Sequence, residues 1–135
     1  MTSRSEIEKT LQSLYKARVQ GDLEGTMKDI ADDGSFGIYA RGTGVAAMSS
    51  PIKGKLAVKQ AVKELIDNWI FKDWTQMSLL VEGEKAVLHW RAHVTFKPTN
   101  KSDTFDVFDH VTFRDGKIVD FRQSTDTAMM MKVAS

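Results

Sequence analysis

The sequence predicts an α+β fold in which helices come first and a mostly antiparallel sheet follows. Apolar residues recur at three- and four-residue steps near the N-terminus and again over residues 58–69, as on amphipathic helices. From residue 74 onward, apolar and polar residues alternate with period two in four successive segments. Helices followed by a run of strands are expected to pack on one face of a curved sheet.

The composition restricts the kinds of partner. The chain has 135 residues, 41% hydrophobic and 27% charged, which fits one domain over residues 1–135. Its net charge of +1 disfavours a nucleic-acid partner. The apolar runs are too short to span a membrane, and the first residues lack the apolar region of a secretory signal. We therefore expect a cytoplasmic protein with no nucleic-acid or membrane partner.

Three helices are predicted before the sheet. The first runs from Ile7 to Val19 and is ended by Gly21, which can adopt a left-handed conformation. The second, Leu23 to Ile30, is capped by Asp22. The third has a clear apolar stripe from Val58 to Trp69.

The segment between the second and third helices is less regular. Residues 35–41 have the pattern of a short strand, and small residues dominate from 42 to 50. Such a stretch is either a binding loop or a plain surface connection, and the sequence favours neither.

Four strands follow, joined by two hairpins with glycines and one longer turn over residues 97–102. They are Trp74–Glu82, Ala86–Phe96, Asp103–Arg114 and Lys117–Asp126.

One acidic residue stands in an apolar row of the third strand. Asp109 shares a face with Phe105, Val107, Val111 and Phe113. Burial in such a row raises the pKa of a carboxyl group and favours the neutral form, which can donate a hydrogen bond. Asp109 is therefore either a functional donor or a structural carboxylate bonded to a backbone N–H or a neighbouring Arg.

The strand Ala86–Phe96 has an apolar row that includes Trp90 and a polar row that contains His89, Arg91 and His93. Either the polar row faces solvent, or both faces are covered and the polar row lines a cavity. The alternation alone favours the first. Two histidines without a third ligand do not predict a metal site, and phosphate-loop and dinucleotide motifs are missing, so neither metal nor cofactor is expected.

Four segments, in their order and spacing, resemble those of the SnoaL-like and ketosteroid-isomerase-like members of the nuclear transport factor 2-like superfamily. The resemblance covers about residues 6–126, and the segments are Gly21-Asp22-Leu23-Glu24, Ile30-Ala31-Asp32-Asp33, Pro51-Ile52-Lys53-Gly54 and residues 108–118. It implies a cone-shaped fold of three N-terminal helices packed on a strongly bent, mostly antiparallel sheet. A ligand cavity inside the cone, and often a homodimer through the convex face, are implied as well.

The resemblance also implies where the site lies. With the sheet covered on both sides, the row containing Trp90 would form the dimer interface, and His89, Arg91 and His93 would point into the cone. The residues expected to line the cavity and bind substrate are Phe36, Ile38, Phe105, Val107, Phe121, Gln123 and Thr125.

Ketosteroid isomerases use an Asp general base, a Tyr donor and a protonated Asp donor. By resemblance, Asp109 matches the protonated Asp. The position of the general base falls on Ile38, which cannot accept a proton, and the position of the Tyr falls on Leu14, next to Tyr15. Tyr15 is therefore an auxiliary donor, and steroid isomerisation by the family's own mechanism is not expected.

A second branch, resembling limonene-epoxide hydrolase, activates water between an Arg, an Asp two residues later and an Asp on the next strand. Here Arg91 is followed by His93 instead of Asp, with Asp109 on the next strand. This implies His93 or His89 as general base, Asp109 as its partner and Arg91 as a clamp for negative charge.

The sequence thus predicts a cofactor-independent enzyme for a small apolar molecule, working by proton transfer, as an isomerase or cyclase, or by water addition, as a hydrolase. The alternative is a non-catalytic ligand-binding or dimerisation module of the same fold. A purely structural dimer would instead have a cone filled with side chains.

Overall fold

A computed structural model describes residues 1–40 and 50–135. The predicted irregular segment lies mostly outside these residues. Within them, four helices and six strands follow one another: α1 (Arg4–Val19), α2 (Leu23–Met27), β1 (Ile30–Ile38), β2 (Ile52–Lys53), α3 (Lys55–Asn68), β3 (Trp69–Glu82), β4 (Lys85–Phe96), β5 (Lys101–Arg114), β6 (Lys117–Thr125) and α4 (Thr127–Ala134).

The strands form one sheet in the order β2-β1-β6-β5-β4-β3. Strands β3 to β6 are paired as an antiparallel meander, β2 is antiparallel to β1, and β1 runs parallel to β6. The predicted α+β class is therefore confirmed, with helices packed on a mixed sheet. None of the described helices is long and apolar enough to cross a membrane.

Helix α1 is fixed at both ends by its own residues. The Ser3 side chain accepts from the backbone N–H of Glu6, whose carboxylate accepts from Ser3 in return, a capping box. Gly21 follows the helix with φ of 74°, the left-handed conformation that glycine adopts without strain. The predicted stripe differs at one position, because Arg18 is buried where Val19 was expected and Val19 is exposed.

Other boundaries differ for local reasons. Helix α2 ends at Met27, and Ile30 already belongs to β1. Strand β3 begins at Trp69 instead of Trp74, since a bulge at Asp73, with φ of 56°, shifts the register of its pairing with β4 and hides the alternation of residues 69–73. The short strand β2 and the C-terminal helix α4 were not predicted.

The apolar row of β4 faces the helices. Leu88 pairs with Asp109 of β5, so these two residues and Trp90 share one face of the sheet, and all three are almost fully buried. Tyr15 of α1 packs against Trp90, with ring centroids 5.1 Å apart. The expectation that the Trp90 side forms a dimer interface is therefore wrong, because helix α1 already covers it.

Candidate functional site

A cavity of about 100 Å³ lies between the helices and the sheet. It is somewhat smaller than the roughly 150 Å³ apolar cavity that is known to hold benzene in another protein. Most of its wall is apolar. The seven residues expected to bind substrate all stand on this wall: Phe36, Ile38, Phe105, Val107, Phe121, Gln123 and Thr125.

A hydrogen-bonded group of four side chains lies at the sheet side of the cavity. The Tyr15 hydroxyl donates to Asp109 Oδ2, and Trp90 Nε1 donates to the same oxygen at 2.8 Å. Gln123 Nε2 donates to the Tyr15 oxygen at 3.1 Å. Tyr15, Trp90 and Gln123 line the cavity, whereas Asp109 is completely buried behind them. Any effect of Asp109 on a ligand therefore passes through these neighbours.

The strand register explains why these residues meet. Asp109 of β5 is directly opposite Gln123 of β6 and opposite Leu88 of β4, two residues from Trp90. Tyr15 reaches this point from the buried stripe of α1, where its ring is stacked on Trp74 at 4.9 Å. Contacts with the rings of Trp74 and Trp90 hold the hydroxyl at the carboxyl group.

Burial dominates the electrostatics of this group. It raises the pKa of Asp109 from its ordinary value of 3.8 to about 7, and the hydrogen bonds from Tyr15 and Trp90 oppose the rise. The pKa of Tyr15 is raised well above its usual range, by burial first and then by the negative charge of Asp109. Near neutral pH, Asp109 is thus divided between a neutral form that can donate and an ionised form that can accept.

One charged residue also lines the cavity. The Arg18 guanidinium lies 3.9 Å from the centre of the Phe71 ring, and its Nη2 donates to the carbonyl oxygens of Leu65 at 3.1 Å and Trp69 at 2.8 Å. Burial lowers the pKa of Arg18 to about 10, so the group stays protonated at neutral pH.

The three polar residues of β4 lie on the other face of the sheet. His89 Nε2 is 2.8 Å from Asp106 Oδ1, and Arg91 Nε donates to the same oxygen at 3.0 Å. The pKa of Asp106 is lowered by its hydrogen bond with His89 and by Arg91. The expectation that His89, Arg91 and His93 point into the cone is therefore wrong, since Leu88 and Trp90 of the same strand occupy the inner face.

The water-activating arrangement expected from Arg91, His93 and Asp109 is consequently not formed, because the sheet separates the first two from the third. In the described parts of the chain, no group of three or more His, Asp or Glu side chains is arranged to hold a metal ion.

Two residues of the site were missed by the sequence analysis. Trp90 was assigned to the apolar row of its strand and, by resemblance, to a dimer interface, although its row is directly adjacent to that of Asp109. Arg18 follows Leu11 by seven residues and Leu14 by four, which places a charged residue on the apolar stripe of α1. The position of Arg18 on this stripe was the sequence signal that could have identified it.

The fold and the cavity can now be compared with known proteins. The chain matches the SnoaL-like domain family over residues 11–121, most of its length, and belongs to that family. No curated protein matches the sequence significantly.

Solved structures with the same architecture come from several bacteria. A candidate isomerase from Rhodopseudomonas palustris has a TM-score of 0.80 at 18% identity, over 100% of both chains. An NTF2-like protein of unknown function from Burkholderia pseudomallei has a TM-score of 0.80 at 20% identity, over 95% of this chain and 96% of that chain. An LEH-like epoxide hydrolase from M. tuberculosis has a TM-score of 0.72 at 16% identity, over 95% and 88%. At these identities the likeness shows the shared NTF2-like fold.

Proposed function

We propose that this protein binds a small, largely apolar carbonyl compound in the cavity and catalyses a cofactor-independent proton transfer, as in an isomerisation or cyclisation. One observation carries the proposal. The Tyr15 hydroxyl lies on the wall of an apolar cavity and is hydrogen-bonded to a buried carboxyl group, Asp109, whose pKa is about 7. A group with a pKa near the working pH is well suited to general acid–base catalysis.

The Tyr15 hydroxyl is the group that would touch the substrate. When Asp109 is neutral, its proton can be donated to the Tyr15 oxygen, and the Tyr15 proton is then available to a carbonyl oxygen in the cavity. Negative charge that develops on that oxygen is stabilised by a donor already held in place, in surroundings of low polarity. Asp109 acts through Tyr15 and is a positioning and proton-supplying residue.

Among the described residues, no carboxylate lines the cavity as a general base that could remove a proton from carbon. Ile38 lines the cavity where an Asp base is expected by resemblance, and no Asp or Glu is among the residues that line the cavity in the described part of the chain. The substrate class best suited to this site therefore has an acidic C–H of its own, such as a β-dicarbonyl compound. When Asp109 is ionised, the Tyr15 oxygen can accept that proton while the Tyr15 proton passes to Asp109, so the hydrogen-bonded pair serves as the base.

Deuterium exchange tests this proposal without knowledge of the natural substrate. Small cyclic β-diketones and enones would be incubated with the protein in heavy water, and deuterium incorporation at carbon would be followed by mass spectrometry. We expect exchange above the buffer rate, reduced at least about tenfold by Tyr15→Phe and by Asp109→Asn. Asp106→Asn, on the same strand but the opposite face, is the matched control and should leave exchange unchanged.

A second function, non-catalytic binding of a small ligand, is favoured by one specific observation, the apolar Ile38 in the position of the base. Saturable binding of these compounds with exchange no faster than in buffer would select this function and contradict catalysis.

Exposed apolar side chains on the outer face of the sheet support a homodimer as the assembly. Leu80, Val87 and Phe108, with 69%, 38% and 45% exposure, share the face opposite the helices. Leu80 is directly paired with Val87, and Phe108 is stacked on His89 with ring centroids 4.3 Å apart. We name these three residues the outer patch. Exposed apolar side chains on one sheet face are typical of an interface.

A further inference from the structure

We propose that the ligand of this cavity carries a carboxylate group that pairs with Arg18. The inference rests on the proposed function in one respect, since the carboxylate belongs to the molecule that occupies the same cavity. It adds a chemical class to that molecule, an apolar body with an anionic end.

The charge of Arg18 is buried without an anion beside it. The residue is 7% exposed, and no Asp or Glu is among the described residues that line the cavity. The described salt bridges do not include it either. Charged groups removed from water are normally paired, because an isolated buried charge is costly. An anionic ligand would complete the pairing.

The guanidinium has donors left for such a ligand. Its Nη2 is used by the carbonyl oxygens of Leu65 and Trp69, whereas Nε and Nη1, with three further N–H groups, donate to no described residue. Among the described residues, the fully buried side-chain polar atoms without a partner are Trp74 Nε1 and Asp109 Oδ1, so Arg18 Nε and Nη1 are not sealed off. A carboxylate can accept a charge-assisted hydrogen bond from Nε or from Nη1, whereas both bidentate edges of the guanidinium include Nη2, which Leu65 and Trp69 already occupy.

A structural role alone explains only part of this geometry. The hydrogen bonds to Leu65 and Trp69 satisfy carbonyl groups at the C-terminal end of α3, where a cation is stabilising. That role uses one nitrogen of three. It explains neither why the side chain lines the cavity nor what the other two nitrogens bind.

The position of Arg18 relative to Tyr15 limits the ligand further. The two residues are three apart on α1, which separates their backbones by about 4.5 Å along the helix axis, and both side chains line the cavity. A single small molecule can therefore reach both, with a carbonyl oxygen at Tyr15 and a carboxylate at Arg18.

Matched pairs of probe molecules separate charge recognition from the structural role. Acetate and acetamide have nearly the same shape, and so do propionate and its amide; each is smaller than benzene and would be titrated near pH 6, with the Arg18 Nε–H resonance followed by NMR. We expect the carboxylate to bind about tenfold or more tightly than the amide and to shift that resonance. Arg18→Met should abolish the preference and Arg18→Lys should retain part of it.

The control is Arg4→Met, the same substitution on the same helix. Arg4 also donates to a backbone carbonyl, that of Leu79, but it is not among the residues that line the cavity. This variant should keep the full preference for the carboxylate.

The results that would contradict the pairing with Arg18 differ from those that would also contradict the proposed function. Equal binding of carboxylate and amide by the unmodified protein would overturn the pairing with Arg18 and leave the proposed carbonyl chemistry standing. A carboxylate preference that survives Arg18→Met would do the same. Absence of binding by every probe, with no change at Arg18 or Tyr15, would overturn this inference and the proposed function together.

Discussion

Asp109 is set apart from the other acidic residues by its surroundings. It is fully buried in an apolar row, and its hydrogen-bond donors Tyr15 and Trp90 both bind the same oxygen. Its second oxygen, Oδ1, has no hydrogen-bond partner in the described part of the chain. Burial destabilises the ionised carboxylate more than the hydrogen-bonding side chains stabilise it, which is why the pKa of Asp109 rises to about 7.

This pKa makes folding stability depend on pH. The folded protein keeps the Asp109 proton up to about pH 7, whereas the unfolded chain releases it near pH 3.8, so the stability associated with this group is lost as the pH rises between these values. At about 1.4 kcal/mol per pKa unit, the interval corresponds to about 4 kcal/mol. We expect Asp109→Asn to gain stability relative to the unmodified protein by about this amount from pH 4 to pH 7.

Urea unfolding at each pH measures the difference between the two proteins. A difference that is constant over this range would contradict the raised pKa of Asp109.

Removal of the Tyr15 hydroxyl should remove a hydrogen bond from each of two side chains, Asp109 and Gln123. Tyr15→Phe deletes the donor to Asp109 and leaves Gln123 Nε2 without its acceptor, so we expect a loss of about 1–3 kcal/mol in the free energy of unfolding. The pKa of Asp109 should rise further, since the hydrogen bond from Tyr15 lowers it. Tyr39→Phe, at a residue with 58% exposure, is the control and should change stability little. Equal stabilities of the two variants would contradict the hydrogen-bonded group.

Single residues differed in how well the sequence predicted them. Asp109 could be found, because an acid in an apolar row of a strand is an exception to a simple pattern. Arg18 could not be assigned a role, because the spacing that buries it says nothing about the carbonyl groups and the ring of Phe71 that receive it.

At the scale of elements, β4 shows what alternation can and cannot establish. Its period-two pattern alone correctly favoured Trp90 in the core and the row of His89, Arg91 and His93 outside. The implication drawn from family resemblance reversed this assignment and was wrong. The physical reason is that one face of a strand in a sheet covered by helices must be apolar throughout, and β4 has only one such row.

Helix α4, which was not predicted from the sequence, is held in place by its N-cap and by two buried residues. Asp126 caps it by accepting from the N–H of Met129, and Met130 and Val133 are buried against the rest of the core. Three consecutive methionines carry no helical period that a short window can detect. The helix closes part of the cavity, since Met130 lines it.

Shortening of one methionine tests this role of α4. Met130→Ala should lower the free energy of unfolding by about 2–3 kcal/mol and enlarge the cavity, because Met130 is 6% exposed and contributes to its wall. Met131→Ala, at the next residue with 45% exposure, is the matched control. Thermal unfolding of both variants measures the difference, and equal losses would show that α4 is not packed as described.

At the scale of the whole molecule, the order of helices and meander strands followed from the sequence, whereas the topology of the sheet did not. The parallel pairing of β1 with β6 joins strands that are about 80 residues apart, and no local pattern encodes such a partner. The same pairing brings Phe36 beside Phe121, with ring centroids 5.8 Å apart on the cavity wall. The cavity is thus a product of long-range pairing.

The proposed homodimer is also a property of the whole molecule. Phe108→Glu places a charge in the outer patch, and we expect it to convert a dimer to a monomer in analytical ultracentrifugation. Leu56→Glu, at a residue of α3 with 74% exposure that lies outside the patch, should leave the dimer intact. An unmodified protein that is monomeric at high concentration would contradict the assignment.

The proposed chemistry depends on Asp109 as a carboxyl group that exchanges its proton near neutral pH behind the Tyr15 hydroxyl. The most direct test is a ¹³C NMR titration of the Asp109 side-chain carboxyl in the unmodified protein, with Asp106 in the same spectrum as an internal reference. We expect a midpoint of about 7 for Asp109 and a midpoint below the ordinary value for Asp106. A midpoint of Asp109 close to its ordinary value of 3.8 would contradict the proposed chemistry.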